Sequence, residues 1–255
     1  MLVYLHIPKN GGMTMKSIFD RELGNRVKYV YSDAVGEFIS ETKLARIAKS
    51  LDSHIKVLFS PNIRPLDAEI SRSLNLNYAT LIRHPVKRAI SLYYEERRAT
   101  EGANHISQRS FEEYVRERPK YDNAISNWQT YNITKKATFE QARELLEQFL
   151  VVGVVGHFDM SLLVMRELGG LSGFKIYYKK QNVSVEKKIT MKTLPEKTLE
   201  MLLEMNQEDL KLFEYANTRL KKDTQNFPNI TGKLKVFQRK NFLYNKSPWV
   251  FKFVN

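Results

Sequence analysis

The chain has 255 residues, of which 42% are hydrophobic and 11% aromatic, so it can bury a sizeable core and is not a disordered or fibrous protein. Its 41 lysine and arginine residues against 28 aspartate and glutamate residues give a net charge of +13, which predicts an anionic partner: nucleic acid, anionic lipid, a phosphorylated ligand or an acidic polymer. The sequence contains no cysteine, which excludes disulfides, cysteine-based zinc sites, iron–sulfur clusters and thiol catalysis.

The first residues do not have the pattern of a secretory signal. Residues 1–6, MLVYLH, lack a basic segment followed by a long apolar one. The longest apolar run, residues 149–155, is far shorter than the roughly 20 residues of a membrane-spanning helix. We therefore expect a cytoplasmic protein without a membrane span. The three Asn-x-Ser/Thr sequons, at Asn132, Asn182 and Asn229, are then expected to be coincidental.

In the first half of the chain, short apolar runs alternate with helical patterns. Residues 2–7 are an apolar run that ends at Pro8 and the Gly11-Gly12 pair, which predicts a strand entering a tight loop. Apolar side chains at helical spacing then predict a helix over residues 13–23. Further strands are predicted over residues 27–31, 55–59 and 78–82, and further helices over residues 43–51 and 86–98.

The second half begins with a helix-rich stretch over residues 111–148. Residues 149–155 then give the strongest buried-strand signal in the chain. Further helices are predicted over residues 159–168, 195–203 and 207–222. The alternation of strands and helices predicts an α/β fold with a central, mainly parallel sheet flanked by helices.

The composition changes after residue 223. The last 32 residues contain no acid, and their bases are Lys233, Lys235, Arg239, Lys240, Lys246 and Lys252. We therefore divide the chain into one domain over residues 1–223 and a basic C-terminal extension over residues 224–255. The extension is interpreted as a strap or an oligomer contact.

Residues 8–14, PKNGGMT, carry the most chemical information. A strand enters a Gly-Gly turn and a helix begins directly after it, which directs backbone N–H groups and a helix N-terminus at one point and suits a phosphate. Lys9 adds a positive charge and Thr14 a hydroxyl group. The Walker A pattern is not met, because Lys9 precedes the glycines, and a generic kinase or NTPase is disfavoured. The alternative is a simple strand-turn-helix with a surface lysine.

Residues 81–94 also end a strand and begin a helix. Arg83 lies at the carboxyl tip of the predicted strand, where open α/β sheets bind ligands. Ser91 follows about two turns into the helix. The planar fork of donors on an arginine, together with a hydroxyl group, suits a second phosphate. The alternative is a merely solvated arginine.

Together the two segments resemble the carbohydrate sulfotransferases of the heparan sulfate 2-O-sulfotransferase and chondroitin sulfotransferase type. The Pro-Lys-Thr-Gly-Gly-Thr-Ser loop of those enzymes is similar to residues 8–14, and their Arg-Asp-Pro-x-x-Arg-x-x-Ser signature is similar to residues 83–91. Weaker similarities extend the resemblance to about residues 2–222. They involve residues 127–130, 152–162 and 182–184 and the predicted helix that contains Asn206, Asp209 and Phe213.

This resemblance implies a P-loop-like sulfotransferase fold and a specific reaction. The enzyme would move a sulfuryl group from 3′-phosphoadenosine-5′-phosphosulfate (PAPS) to a hydroxyl of a carbohydrate or glycoconjugate, leaving 3′-phosphoadenosine-5′-phosphate (PAP). The residues that it implies for the 5′-phosphosulfate are Lys9, Asn10, Gly11, Gly12, Met13 and Thr14. Those that it implies for the 3′-phosphate are Arg83 and Ser91. Lys9 would also be catalytic, because it would stabilise charge on the leaving phosphate. No metal is expected.

The general base for the acceptor hydroxyl is where the sequence departs from this family. The Gly-His pair that follows the third strand in those enzymes has no counterpart in residues 57–64, VLFSPNIR. We select His157 as the candidate base. The other candidates are His6, His54, His84 and Glu37.

The missing pair gives a second hypothesis, a relative that binds PAP or PAPS as a binding module without catalysis. A nucleic-acid binder is a third hypothesis that rests on charge alone, and since no nucleic-acid motif supports it we expect no nucleic-acid partner.

The lysines that flank Asn182 either line the nucleotide or an acidic acceptor site, or form an ordinary solvated face. They are Lys179, Lys180, Lys187 and Lys188. Because acceptor sites are built from variable loops, no particular acceptor or oligomeric state is predicted.

Overall fold

The computed structural model describes residues 1–34, 36–98, 109–171, 173–179 and 189–246. Its strands are β1 Leu2–Leu5, β2 Val27–Tyr29, β3 Val57–Ser60, β4 Asn77–Ile82 and β5 Val151–Val154. Its α-helices are α1 Gly12–Leu23, α2 Glu41–Ser50, α3 Ala68–Ser73, α4 Pro85–Arg98, α5 Phe111–Glu117, α6 Trp128–Thr134, α7 Phe139–Glu147, α8 Phe158–Leu168, α9 Glu196–Met205, α10 Gln207–Gln225 and α11 Ile230–Lys246.

The strands form one parallel sheet in the order β2-β3-β1-β4-β5. β1 lies at its centre, where Tyr4 is in register with Phe59 of β3 and Ala79 of β4. All residues of β1, β3 and β5 are buried, and burial on both faces explains why these strands appear in the sequence as continuous apolar runs. The predicted α/β fold with a parallel sheet flanked by helices is confirmed, as are the five predicted strands.

The predicted helices agree with the structure to within a few residues, and the helix-rich stretch contains α5, α6 and α7. α3 is not predicted, because its six residues are too few for a helical pattern. None of the helices in the described part of the chain combines the length and the apolar character needed to cross a lipid bilayer.

The predicted boundary after residue 223 falls inside α10, which ends at Gln225. α11 then packs against α8. Phe237 of α11 is 5% exposed and belongs to the main core, with its ring stacked on Tyr177 at 5.9 Å between centroids. The side chain of Asn241 accepts a hydrogen bond from the backbone N–H of Tyr178 at 2.8 Å. The described part of the basic extension is therefore fixed to the residues that precede it. The division into two units stays a prediction.

The N-termini of α6 and α10 cap each other through one buried side chain, Asp209, and one partly buried side chain, Asn127. Asp209 of α10 accepts hydrogen bonds from the backbone N–H groups of Gln129 and Thr130, at 3.0 and 2.8 Å, and from Oγ1 of Thr130 at 2.7 Å. In return, Oδ1 of Asn127 accepts from the backbone N–H groups of Glu208 and Asp209, at 3.0 and 3.1 Å. A carboxylate between two helix N-termini is stabilised by both helix dipoles.

The side chain of Gln129 connects this reciprocal cap to the carboxyl edge of the sheet. Its Nε2 donates to the carbonyl of Arg83 at 2.8 Å and to Oδ2 of Asp209 at 3.2 Å. Its Oε1 accepts from the backbone N–H of Arg83 at 2.9 Å and from Nδ2 of Asn10 at 2.7 Å. One buried amide therefore holds together the segments that follow β1 and β4.

We expect Asp209→Asn to lower the free energy of unfolding by roughly 2–3 kcal/mol, because an amide group would face N–H donors that the carboxylate now satisfies. Urea-induced unfolding followed by circular dichroism measures this loss. Glu214→Gln, an exposed substitution in the same helix, is the control and should leave the unfolding midpoint unchanged. Equal midpoints for the two variants would contradict the capping role.

Candidate active site

A cavity of about 950 Å³ lies between the segments that follow β1, β4 and β5. Arg83, at the carboxyl end of β4, lines it together with Ser91 and Glu95 of α4. The residues of the first loop that line it are Lys9, Gly11, Gly12, Met13 and Thr14. The two segments that the sequence suggested separately for phosphate binding thus meet in one cavity, at the edge where parallel sheets bind ligands.

The loop between β1 and α1 requires glycine at two positions. Gly11 has a φ of +80°, which a residue with a side chain rarely adopts. A Cβ atom on Gly12 would lie 1.9 Å from Cε1 of His6, so the backbone passes directly over that imidazole. Among the described residues no side chain caps the N-terminus of α1. The N–H groups of Gly12 and Met13, which precede the first hydrogen bond of the helix from Thr14 to the Gly11 carbonyl, are therefore available to an anion in the cavity.

Lys9 precedes these glycines in a left-handed conformation, with φ 72°. Its Nζ lies 2.6 Å from Oε2 of Glu95. Burial lowers the pKa of Lys9, Glu95 acts in the opposite direction, and Arg83 and Arg98 lower the pKa further. Glu95 lies outside the two sequence motifs, although it follows Ser91 by one helical turn and hence lies on the same face of α4.

Arg83 is attached to the same loop, since its Nη1 donates to the carbonyl of Lys9 at 2.6 Å. Burial lowers its pKa to about 10, with no opposing contribution from a carboxylate of the described chain. A half-buried cation without a counter-ion is unfavourable in a folded protein and indicates a place where an anionic ligand would be stabilised.

Asn10 is the one predicted donor-site residue that does not line the cavity. Its backbone N–H donates to the carbonyl of Ile7 at 3.1 Å. Its buried side chain donates to Gln129, as described above, and to the carbonyl of Leu81 at 2.7 Å. Asn10 therefore holds the loop in position rather than facing a ligand in the cavity.

Two of the candidate bases, His6 and His157, line the cavity. His157 is exposed and immediately precedes α8. His6 directly follows β1 and lies beneath Gly12, and its buried Nδ1 has no hydrogen-bond partner within the described residues. Burial, with a smaller contribution from Lys9, lowers the pKa of His6 to about 4, so its imidazole is neutral at pH 7.

The other three candidates do not line the cavity. Nδ1 of His54 contacts the Asp52 carboxylate at 2.8 Å on the surface. The ring of His84 packs against Phe213, with 5.2 Å between the centroids. Glu37 is exposed and lies in the loop before α2.

The C-terminal helices complete the cavity. Asn217 and Lys221 of α10 and Leu234 and Gln238 of α11 line it. Nε2 of Gln238 donates to Oδ2 of Asp159 at 3.1 Å, which attaches α11 to the start of α8. The basic extension therefore supplies part of the cavity wall, a role that differs from the strap or oligomer contact expected from its composition.

The remaining sequence candidates are the lysines around Asn182. Lys179 is exposed, whereas residues 180–188 lie outside the described residues, so the contacts of Asn182 and the other three lysines are not described. Within the described chain, no three side chains of the metal-ligating types His, Asp and Glu group so that they could hold a metal ion.

Comparison with known proteins places this site in a family. A model described as "Sulfotransferase family" matches residues 1–152, more than half of the chain. The match includes the loop after β1, the tip of β4 with Arg83, and Ser91. No curated protein matches the chain at a significant level. Because the match covers more than half of the chain, including both loop segments that line the cavity, the chain belongs to the sulfotransferase family, whose members transfer sulfuryl groups.

Proposed function

We propose that this sulfotransferase transfers the sulfuryl group of PAPS to a hydroxyl of a carbohydrate or glycoconjugate. The observation that carries the donor assignment is the junction of Lys9 and Arg83 in one cavity, with Nη1 of Arg83 2.6 Å from the Lys9 carbonyl. Two adjoining cationic groups suit a ligand that carries both a phosphosulfate and a separate phosphate. The carbohydrate acceptor is supported by the resemblance of the two sequence motifs.

In this proposal the loop after β1 binds the 5′-phosphosulfate. The N–H groups at the start of α1 and the Lys9 ammonium would contact it, because a helix N-terminus and a cation both stabilise an anion. Arg83 and Ser91, which line the same cavity, would bind the 3′-phosphate. Nζ of Lys9 would exchange its contact with Glu95 for one with the oxygen that bridges phosphorus and sulfur.

The transfer step resembles in-line phosphoryl transfer, in which positioning and charge stabilisation provide most of the rate. The acceptor oxygen bonds to sulfur as the bond from sulfur to the bridging oxygen breaks, and negative charge develops on the leaving 5′-phosphate. Lys9 would stabilise that charge. His157 would accept the proton of the acceptor hydroxyl, a role supported by its exposed position on the cavity wall.

Isothermal titration calorimetry with PAP tests the donor assignment. We expect the chain to bind PAP with a Kd below about 1 mM, and Arg83→Ala to weaken binding about 10- to 100-fold through the loss of a charge-assisted contact. Arg46→Ala, which removes an exposed arginine of α2, should bind PAP like the unmodified chain. Absence of PAP binding, or equal losses in the two variants, would refute the assignment.

Lys9→Ala separates catalysis from binding. We expect it to lower kcat about 10³-fold, because charge on the leaving phosphate would lose its stabilising cation, and to change PAP affinity by less than about tenfold. Sulfate transfer from labelled PAPS to a panel of oligosaccharides gives kcat. Lys49→Ala, an exposed control, should keep full activity. PAP binding without transfer by the unmodified chain would favour the binding-module hypothesis.

The variant His157→Gln tests whether His157 is the general base. Loss of a general base should lower kcat about 10²- to 10⁴-fold at pH 7 and abolish the acidic limb of the pH–rate profile. His54→Gln is the matched control, since its imidazole lies on the surface beside Asp52. If His157→Gln retains both its rate and its pH profile, the base lies elsewhere, and His6 becomes the next residue to replace.

A further inference from the structure

The outward face of α11 presents bases and apolar side chains side by side. Its exposed bases are Lys235, Arg239, Lys240 and Lys246. Its exposed apolar residues are Val236, Phe242 and Leu243, with exposed fractions of 56%, 58% and 48%. Exposed apolar side chains grouped in this way, with polar residues around them, mark a surface for a macromolecular partner or a membrane.

The opposite face of α11 fixes this surface in place. Phe237 is buried in the core, Gln238 is bonded to Asp159, and Asn241 and Asn245 contact the backbone of Tyr178 at 2.8 and 2.9 Å. The outward residues are consequently presented by a helix that is held to the domain along its length.

The positive charge on this face is not neutralised by the described chain. Residues 224–255 contain no acid. Lys233, nearer the domain, lies 3.7 Å from Glu167, whereas the four outward bases form no ion pair with a described carboxylate. The face is therefore complementary to a surface that is both negatively charged and apolar beneath the charge.

We propose that α11 docks the protein on the surface of a membrane that contains anionic lipids. The four bases contact the headgroup phosphates, and Phe242 and Leu243 enter the boundary between headgroups and acyl chains. The helix lies on the membrane and does not cross it. This inference does not depend on the donor or acceptor assigned above.

Two other classes of partner, a second copy of the chain and a nucleic acid, are less complementary to this face of α11 than a membrane is. A second copy of the chain docked by the same face would place its bases opposite their own equivalents, and like charges repel. A nucleic acid would contact the bases but leave Val236 and Leu243 against a polar backbone. An anionic membrane accounts for the bases and the apolar side chains together.

Co-sedimentation of the full chain with vesicles tests the proposal. We expect binding to phosphatidylcholine vesicles that contain phosphatidylglycerol at about 0.1 M NaCl, weaker binding at about 0.5 M, and little binding to pure phosphatidylcholine. The charge variant K235Q/R239Q/K240Q should lower the partition coefficient about a hundredfold. The apolar variant F242S/L243S should lower it about tenfold or more at either salt concentration.

A matched charge control is K28Q/R46Q/K49Q, which removes the same charge from exposed positions outside α11. It should bind anionic vesicles nearly as well as the unmodified chain. The proposal is overturned if the unmodified chain stays in the supernatant with anionic vesicles, or if this control loses as much binding as the α11 charge variant. It is also overturned if a random DNA duplex displaces the chain from vesicles and binds F242S/L243S undiminished.

Discussion

The buried carboxylate of Asp209 is the constraint on which the rest of the site depends. It lies between two helix N-termini, and its hydrogen bonds to Gln129 and Thr130 fix the start of α6. Gln129 in turn bonds both backbone groups of Arg83 and the side chain of Asn10. A buried carboxylate is tolerated only when it is fully paired. Docking of α6 and α10 onto the sheet is therefore coupled to the positions of both cavity-lining segments, the loop after β1 and the tip of β4.

The parts of the fold that the sequence predicts are those set by local patterns. Strands buried on both faces are continuous apolar runs, and the turn before α1 is marked by Gly11 and Gly12. The helix α11 is not predicted from the sequence, and the reason is physical. Phe237 faces the core while Phe242 and Leu243 face solvent, so its apolar residues do not form the single stripe that identifies an amphipathic helix.

The sequence motifs predict which residues line the cavity, but they do not predict the contacts that hold those residues in position. Lys9, Arg83 and Ser91 line the cavity as the motifs suggest, and the resemblance also singles out residues 127–130 and the helix with Asp209. The tertiary contacts that residues 127–130 and Asp209 make in the structure join positions 46 to 119 apart in the sequence, and no local pattern encodes such contacts. Asn10 is a second example. Its position in the motif indicates a contact with a ligand, whereas in the structure its side chain donates a hydrogen bond to Gln129.

The ion pair between Lys9 and Glu95 has a consequence for which anions the cavity accepts. Any ligand that engages the Lys9 ammonium must first displace a carboxylate only 2.6 Å away. A small free anion such as inorganic sulfate bears this cost and gains contacts at one end of the cavity only. Under the proposed function, a ligand with two separated anionic groups would bear this cost once and would gain a contact with Arg83 as well. If the proposed function holds, Glu95 lowers the affinity of both kinds of anion by the same factor, and the ligand with the second contact at Arg83 is the one that retains appreciable occupancy.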